Sequence, residues 1–197
     1  MPIYSDRLHG QEEHRNILWL PIQSYMPRVG DYIDPGGVGG YYLDSAVVAN
    51  YLYANLIVLQ RRMRFDRIGC YVTAAATGVI RLGIYNVSPP PSLYPTSLIV
   101  DAGEVDVSTT GSKELTINVT LDRGFYALAY LSNAGPSLRS CLGGVSVLAW
   151  GSTSPDRPIR SVVQVSQAYG TLPSTFPTGA IGADTRRMIC LRVAELL

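Results

Sequence analysis

Few residues in this chain could do acid–base, nucleophilic or metal chemistry, and their spacing does not suit it. The two histidines, His9 and His14, both stand in the opening stretch MPIYSDRLHGQEEHRN. At that spacing they do not share a helical face, which requires three or four residues. A metal site there would need Glu12 and Glu13 as well, and the plainer reading is a solvated segment. With no histidine elsewhere, a Ser-His-Asp or Cys-His group is not available to the rest of the chain. Cys70, Cys141 and Cys190 are odd in number and lack a CxxC spacing, which points to free, mostly buried thiols in a chain made in a reducing compartment. Glycoside hydrolysis would need two carboxylates facing each other across a sugar. Asp101, Glu104 and Asp106 have the right type, but Asp101 and Glu104 flank Gly103 near an expected bend, and turn or surface roles are the better reading. No catalytic residue, no metal and no cofactor is expected.

Binding chemistry is the next question. Arg61, Arg62, Arg64 and Arg67 form a cluster, but a strand sends alternate residues to opposite faces, and Asp66 sits among them. Pairing with carboxylates on the surface or between subunits is expected there, not nucleic acid. The formal net charge of +1 agrees, since phosphate binding needs a basic excess. Pro35-Gly36-Gly37-Val38-Gly39-Gly40 lacks the Lys-Ser/Thr of a phosphate cradle and reads as a hinge. Tyr94, Tyr126, Tyr130, Trp150 and Tyr169 lie in or beside expected strands and loops. Tyr and Trp rings stack on sugar faces and also anchor interfaces, so these five are candidate subunit or glycan contacts, with core packing as the plain alternative.

The elements that must position these residues are strands. The composition is 47% hydrophobic and 16% charged, which is globular but poor in charge, as for a surface partly covered by other subunits. Leu115, Ile117, Val119 and Leu121 alternate with Glu114, Thr116, Asn118 and Thr120, the period of a half-buried antiparallel strand. Phe65–Thr73 and Gly78–Asn86 alternate in the same way. Phe125–Leu131 is apolar on both faces, so it is either a central strand or one that meets another subunit. Leu121-Asp122-Arg123-Gly124-Phe125 suits a hairpin with Gly124 at positive φ. Leu56–Met63, Leu98–Val107, Val145–Trp150, Val162–Tyr169 and Met188–Val193 are further strand candidates, and Ser45–Ala54 is the best place for a short helix. Many short strands between turn-rich loops predict an antiparallel β-sandwich of jelly-roll type over residues 39–197. Residues 1–38, rich in proline and glycine, predict an extended arm that attaches to another protein or a neighbouring copy. Its patch Ile17, Leu18, Trp19, Leu20 and Ile22 needs a place to dock. No signal peptide is visible in the polar opening, and no apolar run approaches the roughly 20 residues that span a bilayer.

One ordered series of motifs goes further. Phe65-Asp66-Arg67-Ile68-Gly69 precedes Val72-Thr73-Ala74-Ala75-Ala76-Thr77-Gly78 and Arg81-Leu82-Gly83-Ile84-Tyr85-Asn86. Tyr94-Pro95, Leu98-Ile99-Val100-Asp101-Ala102-Gly103 and Thr110-Gly111-Ser112-Lys113-Glu114 follow. The Gly-Phe-Tyr-Ala-Leu-Ala-Tyr core of Leu121–Leu131, Tyr169-Gly170-Thr171-Leu172-Pro173, Phe176-Pro177 and Leu191-Arg192-Val193 complete it. Over about residues 40–197 this series resembles a β-sandwich domain of bacteriophage tail-fibre and other virion-appendage proteins. The resemblance implies a structural or receptor-binding virion part, assembled in the host cytoplasm as a homo-oligomer, a trimer first. It would be a capsid decoration, head fibre or tail appendage, contacting other virion proteins and, in some roles, host surface glycans. It transfers no catalytic residue and implies neither nucleic acid nor membrane insertion. A free-standing carbohydrate-binding module or a glycan-active enzyme is the alternative.

Overall fold

A strand that is apolar on alternate residues buries one face, and a strand that is apolar throughout needs cover on both. Both kinds occur here, and they go to different sheets. The computed structural model describes residues 27–34, 42–90, 92–142, 150–151, 159–160, 162–183 and 185–197, and these are all-β. In chain order the strands are β1 (Tyr32–Ile33), β2 (Tyr42–Ala46), β3 (Tyr51–Leu59), β4 (Met63–Ala74), β5 (Val79–Val87), β6 (Pro95–Asp106), β7 (Gly111–Leu121) and β8 (Gly124–Ser132). Then come β9 (Ser137–Leu142), β10 (Trp150–Gly151), β11 (Ile159–Arg160), β12 (Val162–Ser166), β13 (Ile181–Ala183), β14 (Thr185–Arg187) and β15 (Ile189–Leu196). One sheet has the order β13-β12-β3-β8-β5-β6, and the other runs β1-β15-β4-β9-β14 with β2 on β9 and β7 on β4. We call these the β3 sheet and the β4 sheet. β10 and β11 pair with each other.

The two sheets pack face to face as an antiparallel sandwich. Ile57, Ile80, Leu82, Ile84 and Leu128 from the β3 sheet meet Phe65, Ile68, Val72, Val119, Leu191 and Val193 from the β4 sheet. Burying side chains of this size contributes roughly 1.5–3 kcal/mol each before ordering costs. The Phe125–Leu131 run lies in β8, between β3 and β5, so it is central. Its outward residues Ala127, Ala129 and Leu131 join Leu52, Ala54 and Tyr85 in a second apolar cluster. Leu172 and Phe176 of this same chain cover that cluster, so no second subunit is needed to bury it. The covering segment, residues 167–180, is strapped to the sheet. The Tyr85 hydroxyl donates to Pro173 O at 2.8 Å, Leu98 N to Ser174 O at 2.8 Å and Phe176 N to Thr96 O at 2.7 Å.

The C-terminal strand wedges into the β4 sheet. β14 pairs with β9 and β15 with β4, and between them Met188 N donates to Arg139 O. β9 reaches β4 directly only beyond the start of β15, through Val72↔Leu138 and Ala74↔Ser137. β1 lines the other side of β15, with Tyr32 opposite Arg192 and Ile33 opposite Leu191. The described part of the expected arm, residues 27–34, is therefore attached to the sheet, and Ile33 is in the core. The patch Ile17, Leu18, Trp19, Leu20 and Ile22 lies outside the described residues. Just after β1, Asp34 forms an ion pair with Arg186, whose side chain is fully buried and whose Nη1 donates to Leu56 O at 2.9 Å.

Three local expectations are corrected. The stretch 45–54 is not a helix. β2 ends at Ala46, Val47 enters the core, Asn50 turns the chain at φ 60°, and β3 begins at Tyr51. The Leu56–Met63 run is broken after Leu59, where the chain leaves the β3 sheet for the β4 sheet. The Leu121–Phe125 linker is not a hairpin. β7 pairs with β4 while β8 pairs with β3 and β5, so the linker crosses from one sheet to the other, and Gly124 does not adopt positive φ. The Val145–Trp150 segment lies outside the described residues except for the backbone of Trp150.

A chain lacking residues 1–26 keeps β1 and Asp34 and is expected to melt close to the full-length protein. One lacking residues 1–34 loses Ile33 and strands the Arg186 guanidinium in the interior, an effect worth about 3–5 kcal/mol. Urea denaturation of both truncations and of Asp34→Ala checks this. Full stability in Asp34→Ala would show that the pair contributes nothing.

Candidate functional site

Pairing register gathers polar and aromatic side chains on the outer face of the β4 sheet. Directly opposed residues share a face, and the pairs Asp44↔Arg139, Tyr71↔Ser112, Gly69↔Glu114, Gly69↔Cys190 and Tyr32↔Arg192 all lie away from the core. They surround a groove of about 200 Å³ lined by Tyr32, Tyr71, Ser112, Glu114, Arg139 and Met188, with Gly69, Cys70 and Cys190 completing it. Gly69 is required there, since a Cβ would lie 2.5 Å from Lys113 O.

The rings on this face are open to solvent: Tyr42 is 59% exposed, Tyr71 46% and Tyr32 43%. The Arg139 guanidinium lies 5.3 Å from the Tyr71 ring centroid and 5.9 Å from that of Tyr42. Each such contact is worth about 0.5–1 kcal/mol at an exposed site and fixes the side chain between the two rings. Arg139 Nε stands 3.6 Å from Asp44 Oδ1, an ion contact too long for a hydrogen bond, and that nitrogen has no hydrogen-bond acceptor. At one edge, Arg192 grips both carboxylate oxygens of Asp66 at 2.8 and 2.6 Å and holds that carboxyl below its ordinary pKa. Burial, and then the Glu114 carboxylate, raise the Tyr32 hydroxyl above its ordinary pKa. Among the described residues no group of three His, Cys, Asp or Glu side chains could hold a metal ion. Chemically, the face can stack rings on flat apolar surfaces and offer hydrogen bonds of both polarities.

The candidate carboxylates stand elsewhere, on the outside of the β3 sheet, and they are engaged. Arg81 Nη1 lies 3.0 Å from each Asp101 oxygen and its Nη2 3.2 Å from Glu104 Oε2. The Tyr169 hydroxyl donates to Glu104 Oε2 at 2.6 Å, and Asp101 Oδ2 accepts from Leu172 N at 3.1 Å. The structure thus brings Asp101 and Glu104 together around one arginine, where they fasten the covering segment to the sheet. Asp106 accepts from the Ser108 hydroxyl and backbone N in a turn.

Four of the five candidate aromatic residues make contacts within the chain. Tyr130 is fully buried and stacks on Tyr53 at 4.8 Å. Tyr94 donates to Pro177 O and packs edge-on against Phe176, Tyr126 donates to Asp122 O, and Tyr169 bonds Glu104. The Trp150 side chain lies outside what the structure describes. Among the described residues the open rings are Tyr32, Tyr42 and Tyr71, and of these Tyr71 alone lies in a stretch, Phe65–Thr73, whose alternation sets it on the face opposite Ile68, Cys70 and Val72. Of the arginine cluster, Arg62 pairs with Asp122 at 3.2 Å and Arg64 with Glu195 at 3.1 Å.

Compared with known proteins, the chain matches no family model, no curated protein and no solved structure.

Burial pushes the Cys70 and Cys190 thiols up to about 12. At pH 8 only about one in 10,000 of each is thiolate, the form that reacts. Alkylation of the native protein by iodoacetamide at pH 8 is therefore expected to be far slower than alkylation in urea. Rapid labelling of either cysteine without unfolding would contradict this.

Proposed function

We propose that the chain is a non-enzymatic structural protein of a bacteriophage virion that makes its contacts through the outer face of the β4 sheet. As an oligomer, a trimer first, it serves as a capsid decoration, head fibre or tail appendage, assembled in the host cytoplasm. The observation that carries the contact assignment is Arg139 held between the exposed rings of Tyr42 and Tyr71 beside the groove. Tyrosine and arginine are the residues that most often dominate the energy of a protein contact, and large exposed rings on a lone domain otherwise cost solubility. The partner is another virion protein or a host surface glycan whose apolar faces stack on the tyrosines.

The virion assignment rests on the motif series. The jelly-roll reading is supported by the path of β2 to β9, which visits the β4, β3, β4, β3, β3, β4, β3 and β4 sheets in turn. The wedged β14–β15 strand is its departure from a plain two-Greek-key arrangement. The oligomer reading now stands on the resemblance and the exposed tyrosines, since the apolar outer face of β8 is covered from within. Against a glycan-active enzyme stands the clamping of Asp101 and Glu104 by Arg81.

The double variant Tyr42→Ala/Tyr71→Ala is expected to keep its melting temperature within a few degrees. It should lose incorporation into particles, or binding on a glycan array, by at least about tenfold, the loss of one hot-spot contact of roughly 1.4 kcal/mol or more. Unchanged incorporation and glycan binding would remove this face as the contact surface. A carbohydrate-binding module would bind the array without joining any particle.

Asp101→Asn is expected to lower stability by about 1–3 kcal/mol, as loss of a partner from a partly buried hydrogen-bonded group does. Turnover of bacterial surface polysaccharide by the parent chain, lost in this variant, would make the protein an enzyme.

A further inference from the structure

Asn55, Tyr130 and Arg187 meet in the interior between the two sheets. β3 and β8 pair with Tyr53 opposite Tyr130 and Asn55 opposite Leu128, so Asn55 and Tyr130 are diagonal neighbours on one face. That face points inward, for Tyr53, Leu128 and Tyr130 all belong to the core. Arg187 enters from β14 of the facing sheet. Its guanidinium carbon lies 5.0 Å from the centroid of the Tyr53 ring, and its carbonyl accepts from Asn55 Nδ2 at 2.6 Å. Nη1 donates to Thr185 O at 3.1 Å and Nη2 to Ala46 O, so these bonds go to carbonyls and not to a carboxylate. Asn55 and Tyr130 are 0% exposed and Arg187 is 7% exposed.

Among the described residues, three polar atoms at this place have no hydrogen-bond partner: Asn55 Oδ1, the Tyr130 hydroxyl and Arg187 Nε. The Tyr130 hydroxyl neighbours the Arg187 guanidinium, yet no hydrogen bond of ordinary geometry joins them. More than nine in ten buried polar groups in folded proteins are satisfied, so three orphans on neighbouring side chains of three strands call for a partner, and one shared partner is the most economical.

The chemistry of the three atoms selects that partner. Asn55 Oδ1 only accepts, Arg187 Nε–H only donates, and the Tyr130 hydroxyl can do either. A halide or other simple anion would suit Nε–H and the hydroxyl but would be repelled by Oδ1. A metal cation or ammonium would be repelled by the guanidinium. A single small neutral molecule that both donates and accepts fits all three. We propose that this is a binding site for one structural water, which accepts from Arg187 Nε–H, donates to Asn55 Oδ1 and makes its third bond with Tyr130. Buried waters typically make about three hydrogen bonds of this kind. The water joins β14 of the β4 sheet to β3 and β8 of the other sheet, and it completes the solvation of a buried guanidinium.

The test is a crystal structure of the full chain at better than about 2 Å, with a second crystal soaked in bromide. The expected result is one ordered peak about 2.7–3.2 Å from all three atoms, unchanged by bromide. In solution, oxygen-17 magnetic relaxation dispersion should count one fewer long-lived water per chain in Asn55→Leu than in the parent. Should Asn55→Leu fail to fold, Tyr130→Phe removes only the hydroxyl, and the same peak should persist with two neighbours and exchange faster. Three results would overturn the proposal: an empty site with the three atoms paired to one another, an anomalous bromide signal in place of the peak, or an unaltered count and exchange rate in the variants.

Discussion

The β3 sheet must bury both of its faces, and much of the molecule follows from that constraint. β3 and β8 are apolar at nearly every position, so a partner sheet on one side leaves Leu52, Ala54, Ala127, Ala129 and Leu131 in need of cover on the other. The chain meets this with an irregular third layer, residues 167–180, carrying Leu172 and Phe176 as its apolar teeth. An irregular layer brings backbone groups that must be satisfied. That explains why Tyr85, Tyr94 and Asp101 turn their polar atoms toward its backbone, while Glu104 holds the Tyr169 hydroxyl. Residue types that could have suggested a sugar platform or a catalytic pair are occupied in holding this layer down. Among the described residues no such layer covers Tyr42, Tyr71 and Arg139 on the β4 sheet, and there the rings stay open.

The β4 sheet meets a different constraint, which is charge. Arg186 and Arg187 are adjacent and both buried, and neighbours in a strand leave in opposite directions, so the two cannot share a neutralising group. Arg186 takes the carboxylate of Asp34, while Arg187 takes two carbonyls and the face of Tyr53. Buried ion pairs often add little net stability but are costly to break, so their clearest effect is to fix which segments belong together. Here the Asp34–Arg186 pair fixes residue 34 against β14, and the bond from Arg186 Nη1 to Leu56 O ties both to the opposite sheet.

How much of this was legible depended on whether the signal was local. β7 could be read from Leu115, Ile117, Val119 and Leu121 because period-two alternation is a local property. The double-sided burial of β8 was equally visible, but its cover was not. Leu172 and Phe176 lie some forty residues downstream among prolines and have no periodicity of their own. The 121–125 linker misled because a short turn between strands looks the same whether it joins neighbours in one sheet or steps between two. The 45–54 stretch misled because two short strands around a positive-φ asparagine leave no clean alternation. Nothing local marks Arg186 and Arg187 as buried, since only the partners Asp34 and Tyr53, distant in sequence, make their burial tolerable. The open tyrosines escaped notice because Tyr42 and Tyr32 sit at strand ends whose phase nothing nearby defines.

The wedged C-terminal strand also sets a timetable for synthesis. The strands β3, β5, β6 and β8 have all been made once residue 132 is added, so four neighbours of one sheet can form early. β4 and β1, by contrast, wait for β15, whose last residue is 196. At about 5–20 residues per second the ribosome needs roughly 3–13 seconds to supply the difference. Through that interval one long edge of β4 lies open to any stray strand, including the same edge of a chain on the next ribosome. Nascent chains crowded on one messenger would therefore be most prone to cross-pair late in translation, in the seconds before β15 fills the slot.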